Sequence, residues 1–125
     1  MSQMIPLVKI SGLNKFFNKN KSNQLHVLNQ MTLDLPSQGL VMLLGLSGSG
    51  KTTLLNVLGG LDKFDKGHLF MFDKNISKYQ SNVWDHIRNN HIGYVFQNYH
   101  LLPDLSVFDN VAYVLKLMGI TDESL

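Results

Sequence analysis

Eight consecutive residues, Gly45-Leu46-Ser47-Gly48-Ser49-Gly50-Lys51-Thr52, constrain this chain more than any other stretch. They satisfy the pattern G-x-x-x-x-G-K-[ST] at every fixed position. The flanks agree with it. Gly39 opens an apolar run, Leu40-Val41-Met42-Leu43-Leu44, long enough for a buried strand, and Thr53 to Leu58 reads as a helix that Gly59-Gly60 ends. Strand, glycine-rich turn and helix, in that order, call for an α/β layer. The glycines let successive N–H groups turn inward around a phosphate. The helix N-terminus adds unpaired donors and a partial positive charge. In this arrangement Lys51 reaches the β- and γ-phosphates and the Thr52 hydroxyl is a ligand for Mg²⁺. The bland alternative is a flexible Gly/Ser turn carrying a solvated lysine.

Composition narrows the partners. Eleven basic against nine acidic residues give a net charge of +2, too weak to argue for nucleic acid or an anionic membrane surface. Lys15, Lys19 and Lys21 are separated by polar residues and read as a solvated loop. Without cysteine the chain has no disulfide or thiolate metal site, which fits a reducing compartment. No charged segment followed by an apolar core marks a signal peptide. The longest apolar stretch, Leu40 to Leu46, falls far short of the ~20 residues of a membrane span. The histidines at 26, 68, 86, 91 and 100 lack the i, i+4 spacing or carboxylate company of a zinc site.

Along the chain, Ile5 to Leu13 has strand character, and Lys15 to Asn23 is polar enough for a loop. Leu25 to Leu35 alternates in part, with Met31, Leu33 and Leu35 on one face. Leu61 to Lys66 reads as a charged turn and Gly67 to Phe72 as a short strand; Asp73-Lys74-Asn75 then turns the chain. Ser81 is placed to cap a helix through Asn89, with Val83, Trp84 and Ile87 on its apolar side. Ile92-Gly93-Tyr94-Val95-Phe96 reads as a second buried strand, with Gln97 at its carboxyl end, where ligands sit in open α/β sheets. Ser106-x-x-Asp109 resembles a capping box opening a helix from Val107 to Met118 that Gly119 closes. Thr121 to Ser124 has the look of another helix start.

Three ordered segments carry a family resemblance that covers essentially the whole chain. They are Gly45 to Gly60 with Leu61-Asp62, His91 to Gln97, and Leu101-Leu102-Pro103-x-Leu105-x-Val107-x-x-Asn110-Val111. Together they resemble the ATP-binding subunit of an ABC transporter, most nearly the lipoprotein-releasing, macrolide-export and peptide-antibiotic-export type. The resemblance implies an α/β P-loop NTPase core with an antiparallel β-subdomain. The subdomain would occupy about residues 1–36 and 67–78, the core 37–66 and 91–98, and the start of a helical subdomain 99–125.

The resemblance also implies roles. Gly45 to Thr53 is the Walker A loop, so Gly45, Ser47, Gly48, Ser49, Gly50, Lys51, Thr52 and Thr53 hold ATP. Gln97 is the Q-loop glutamine, touching Mg²⁺ and the attacking water near the membrane subunits; an amide offers both donor and acceptor for that task. Phe17 falls where the family places the aromatic that stacks on adenine. Most members carry Tyr there, and a phenyl ring keeps the π face. Phe16 is the alternative register, and both rings could instead be core. Leu69-Phe70-Met71-Phe72-Asp73 imitates a Walker B strand, but Lys74 stands in place of the catalytic Glu and the run precedes the Q-loop strand, which favours a hairpin turn.

The implied partners are ATP with Mg²⁺, membrane-spanning permease subunits and a second nucleotide-binding subunit, with no nucleic acid. The implied location is cytoplasmic, peripheral on the inner face of the cell membrane. The family's signature motif, Walker B strand, catalytic Glu and switch His fall beyond Leu125. The expectation is therefore a chain truncated before them that binds nucleotide and is inactive as an ATPase alone. The competing expectations are a non-hydrolytic pairing module acting through an intact partner, and a different P-loop enzyme such as a small-molecule kinase. Gln97 and the Leu-Leu-Pro segment weigh against the kinase.

Overall fold

A computed structural model describes residues 6–78 and 80–120. They fall into two compact units, divided in the chain between Gly93 and Tyr94. The first is built on a four-stranded antiparallel sheet in the order β2-β1-β3-β4. Its strands are β1 (Val8–Phe17), β2 (Leu25–Leu35), β3 (Lys66–Met71) and β4 (Lys74–Asn75). Two helices belong to this unit, α1 (Lys51–Leu58) and α2 (Ser81–His91).

The central strand is not regular. Val8 and Ile10 are buried, then the inward positions become Leu13 and Lys15. The change of parity occurs at Gly12, whose φ of 57° makes a β-bulge, and pairing with both neighbours slips there. A bulge inserts one residue and so moves every later side chain to the opposite face. The Gly12 N–H is not wasted; it donates to Thr32 Oγ1 at 3.1 Å.

The core lies on one face of the sheet. Val8, Ile10 and Leu13 meet Leu28 of β2 and Leu69 and Met71 of β3, and Leu54 and Val57 of α1 with Trp84 and Ile87 of α2 belong to the same cluster. Their i, i+3 spacing on each helix matches the width of an apolar stripe. In β2, Met31, Leu33 and Leu35 alternate as expected, half-buried between exposed neighbours.

Several sequence expectations are corrected. Strand β1 runs through Phe17, so the loop expected from Lys15 begins only at Asn18; Ile5 lies outside the described residues. The β3–β4 hairpin turns at Phe72-Asp73, both left-handed (φ 51° and 59°), and Lys74–Asn75 is already the returning strand. Two positive φ values are what a two-residue turn between right-twisted strands demands. Phe72 holds this conformation against the His91 ring, 4.6 Å away between centroids. Asp73 thus sits in a hairpin turn, as its following lysine suggested. Helix α2 starts from Gln80, which gives no side-chain cap, so Ser81 is its first residue and not its cap.

The largest correction concerns Leu40 to Leu44. This run forms no strand, and Leu40 is 91% and Leu44 79% exposed. Ile92 to Phe96 likewise forms no strand. A strand is a ladder, and among the described residues no segment pairs with either run. Apolar composition encodes burial on both faces, but the backbone bonds must come from neighbours.

The second unit holds α3 (Val107–Leu117), with Ser106 as N-cap accepting from the Asp109 N–H at 3.0 Å. The Ser106 hydroxyl, then Lys116, holds the Asp109 carboxyl below its ordinary range. Asn110 organises the preceding loop: its Oδ1 accepts from the Leu102 N–H at 2.8 Å, and its Nδ2 donates to the carbonyls of Leu102, Leu105 and Ser106 at 3.0–3.2 Å. The helix expected from Thr121 lies outside the described residues. No helix among the described residues is long and apolar enough to cross a membrane.

Candidate functional site

The glycine-rich loop and the end of the sheet enclose a cleft of about 380 Å³. One wall is Phe17, Leu25 and Val27, from the paired ends of β1 and β2. The other is Ser47, Gly48 and Gly50 of the loop with Lys51, Thr52 and Thr53 of the first turn of α1. Helix α1 begins at Gly50 with no side-chain cap and no acidic residue in its first turn. Its first intrahelical bond runs from the Leu54 N–H to the Gly50 carbonyl at 2.8 Å. The N–H groups of Lys51, Thr52 and Thr53 therefore have no intrahelical acceptor, and an anion there is also favoured by the helix dipole.

The loop has the closeness that a phosphate cradle requires. A Cβ at Gly45 would stand 2.6 Å from Ser49 Oγ, and one at Gly50 would stand 3.1 Å from Val27 Cγ1 and 3.2 Å from the Val27 carbonyl. At Gly50 the loop backbone runs close against the Val27 backbone, and at Gly45 it packs under the Ser49 hydroxyl, so neither position has room for a side chain. Lys51 Nζ donates to the Gly45 and Leu46 carbonyls at 2.7 and 2.6 Å and to Ser49 Oγ at 3.3 Å. The ammonium is held at the loop itself, where a polyphosphate would offer stronger charged acceptors. These residues fit a Mg-nucleotide: a cation on Lys51, a hydroxyl on Thr52, and the uncapped N-terminus of α1.

The fold thus gathers Phe17, Ser47, Gly48, Gly50, Lys51, Thr52 and Thr53 around one cleft, with Gly45 and Ser49 in contact with Lys51 from the loop. Gln97 belongs to the second unit and is exposed, just after Phe96. Of the two neighbouring phenylalanines, Phe17 lines the cleft, while Phe16 stacks on the His26 ring at 4.1 Å between centroids and 15° between planes. Neither is core.

Sequence reasoning missed two features. Leu25 and Val27 form an apolar shelf beside Phe17, a consequence of strand pairing that no local pattern announces. Lys15, expected in a solvated loop, is 8% exposed and lies on β1. Its Nζ donates to Asp62 Oδ1 at 2.7 Å and to the Lys63 carbonyl at 2.5 Å, in the turn that follows α1. Nearby, Asp65 accepts from the Phe16 N–H at 2.8 Å and from Lys19 Nζ at 3.0 Å. Burial pushes the Asp65 carboxyl up, but the Phe16 N–H, the Lys19 bond and the charges of Lys19 and Lys15 together outweigh it and hold it below its ordinary value.

Comparison with known proteins points the same way. The family profile described as ABC transporter matches residues 28–124. The sulfate/thiosulfate import ATP-binding protein CysA of Yersinia pestis is 40% identical over 111 residues, covering 89% of this chain and 28% of that protein. Its counterpart in Escherichia coli K12 is 38% identical over 111 residues, covering 89% and 27%. Among solved structures, the dimeric post-hydrolysis state of the ATP-binding cassette MJ0796, bound to ADP and Pi, superposes with a TM-score of 0.79 at 30% identity. That match spans 92% of this chain and 48% of the cassette. The chain spans about 28% of the length of the curated relatives it matches.

Proposed function

The chain belongs to the ABC transporter family, and from that premise we propose that these residues supply the ATP-binding half-site of an ATPase that powers transport across a membrane. The observation that carries the proposal is the single cleft in which an uncapped helix start, Lys51 and Thr52 face the ring of Phe17. A phosphate chain against the helix N-terminus and a purine against Phe17 would use both walls.

Each residue then has a task. The loop N–H groups from Gly45 to Gly50 and the Lys51 ammonium hold the phosphates, with Ser47, Ser49 and Thr53 adding hydroxyls. Thr52 is the Mg²⁺ ligand, and the family pattern assigns Gln97 as the Q-loop glutamine that also contacts the metal. Mg²⁺, when bound, supplies charge neutralisation between phosphate oxygens. The partners are permease subunits in the membrane and a second ATP-binding subunit, and the chain works at the inner face of the cell membrane. Within the family, the three motif segments support the lipoprotein-releasing, macrolide-export and peptide-antibiotic-export type, whereas the two CysA relatives named above are import ATP-binding proteins. Capture of one permease type over the other by the chain is the measurement that separates these subtypes.

These 125 residues bind ATP without turning it over. None of the described residues lining the cleft is a carboxylate, and water activation needs a positioned base. The test is thermal or urea unfolding with Mg-ATP. At about 100 times Kd, ATP adds about 2.7 kcal/mol of apparent stability, and Lys51→Ala removes that gain. Equal stabilisation of wild type and Lys51→Ala would place nucleotide elsewhere, and Lys51-dependent phosphate release by the isolated chain would refute the half-site.

A further inference from the structure

The cleft does not explain why a lysine is buried behind it. Lys15 is absent from the cleft lining, yet its ammonium stands 5.1 Å from the centroid of the Phe17 ring. The two residues stand two apart on β1, so alternation sets them on one face, the face that the Gly12 bulge turns toward the core. Phe17 itself is 40% exposed, so a ring face remains available to the cleft. The ammonium cannot drift. Asp62 Oδ1 at 2.7 Å and the Lys63 carbonyl at 2.5 Å hold it, both from the segment that leaves α1. The pair is only part-buried, and an ion pair of this kind contributes little net stability because desolvation of the lysine offsets its attraction. Holding a cation over an aromatic face is something such a pair can do that an apolar pair cannot.

We propose that Lys15 is a positioning residue for nucleotide binding: it fixes the Phe17 ring and polarises it from behind, so that the ring accepts a purine base on its cleft face. A cation on one face draws ring electron density toward itself and leaves the other face a better partner for an electron-rich base. The same contact fastens the base platform to the turn after the phosphate-loop helix, which sets the distance between base and phosphate sites. The inference rests on the reading of Phe17 as the base platform.

The experiment compares affinities for Mg-ATP and for Mg-tripolyphosphate, which carries the phosphates but no base. Lys15→Gln is expected to weaken ATP about three- to tenfold and to leave tripolyphosphate unchanged, while Lys15→Arg keeps the cation and restores ATP. Phe17→Leu tests the underlying reading: it too should weaken ATP alone, and Lys15→Gln should add nothing in that background. If Phe17→Leu leaves the ratio of the two affinities unchanged, the base platform is wrong and the inference falls with it. If Phe17→Leu lowers the ratio and Lys15→Gln does not, only the inference falls. Equal loss of both ligands in Lys15→Gln would make Lys15 merely structural and overturn it. Should Lys15→Gln not fold, Asp62→Asn loosens the ammonium with the lysine in place. A selective loss of ATP then supports the proposal, and an unchanged ratio overturns it.

Discussion

Gly60→Ala is a severe perturbation for a single methyl group. Gly60 follows α1 with a φ of 69°, and a Cβ there would lie 2.1, 2.6 and 2.7 Å from three atoms of the Trp84 indole. Trp84 is 2% exposed and has no room to swing aside. The Gly60 carbonyl also accepts from Arg88 Nη1 of the same helix, so the backbone cannot retreat without losing that bond. Two costs add. The left-handed backbone costs a non-glycine residue about 1–2 kcal/mol, and forcing a methyl into a packed core costs about 1–3 kcal/mol. Gly60→Ala should therefore destabilise by about 2–5 kcal/mol, read as a lower urea midpoint at unchanged slope. A Trp84→Leu background separates the two parts. The indole is gone there, so Gly60→Ala should cost only the backbone part, about 1–2 kcal/mol. A cost below about 0.5 kcal/mol in the wild-type background would refute the packing of α2 on the end of the phosphate-loop helix. Equal costs in both backgrounds would refute the steric part.

Other outcomes follow from the same contacts. Asn110→Ala removes the hub that ties Leu102, Leu105 and Ser106 together, so limited proteolysis should cut the loop before α3 faster; an unchanged rate would mean the loop is held otherwise. For Asp65 the folded carboxyl titrates below its ordinary value of 3.8. The unfolded chain then binds more protons in that region, so this stabilisation is present above about 3.8 and is lost as pH falls through the folded value. Asp65→Asn should flatten the acid limb of a stability–pH curve, and an unchanged limb would show that other carboxylates set it. Phe16→Ala should lower stability through lost stacking on His26 and leave the ratio of ATP to tripolyphosphate affinity as in wild type; a changed ratio would shift the base platform by one residue.

Local chemistry was legible in the chain. The loop from Gly45 to Thr52, the helix stop at Gly59-Gly60 and the cap at Ser106 were all readable from residues within a few positions of one another. Each depends on which φ values a residue tolerates and which nearby N–H it can satisfy, and those constraints travel with the sequence. Phe17 could be named from its place in a family pattern, though not its neighbours in space.

Tertiary structure decided the rest. The parity switch at Gly12 turned Lys15 from a presumed solvated residue into a buried one on the Phe17 face, because side-chain direction beyond a bulge depends on pairing with two other strands. Pairing also set Leu25 and Val27 beside the cleft. The apolar run Leu40 to Leu44 marks the opposite limit. Its composition asks for burial, but strand structure is a property of two chains bonded side by side, and no described segment meets it. Composition and local backbone preference belong to the sequence alone; face, partner and burial arise only when distant segments share hydrogen bonds and exclude water together.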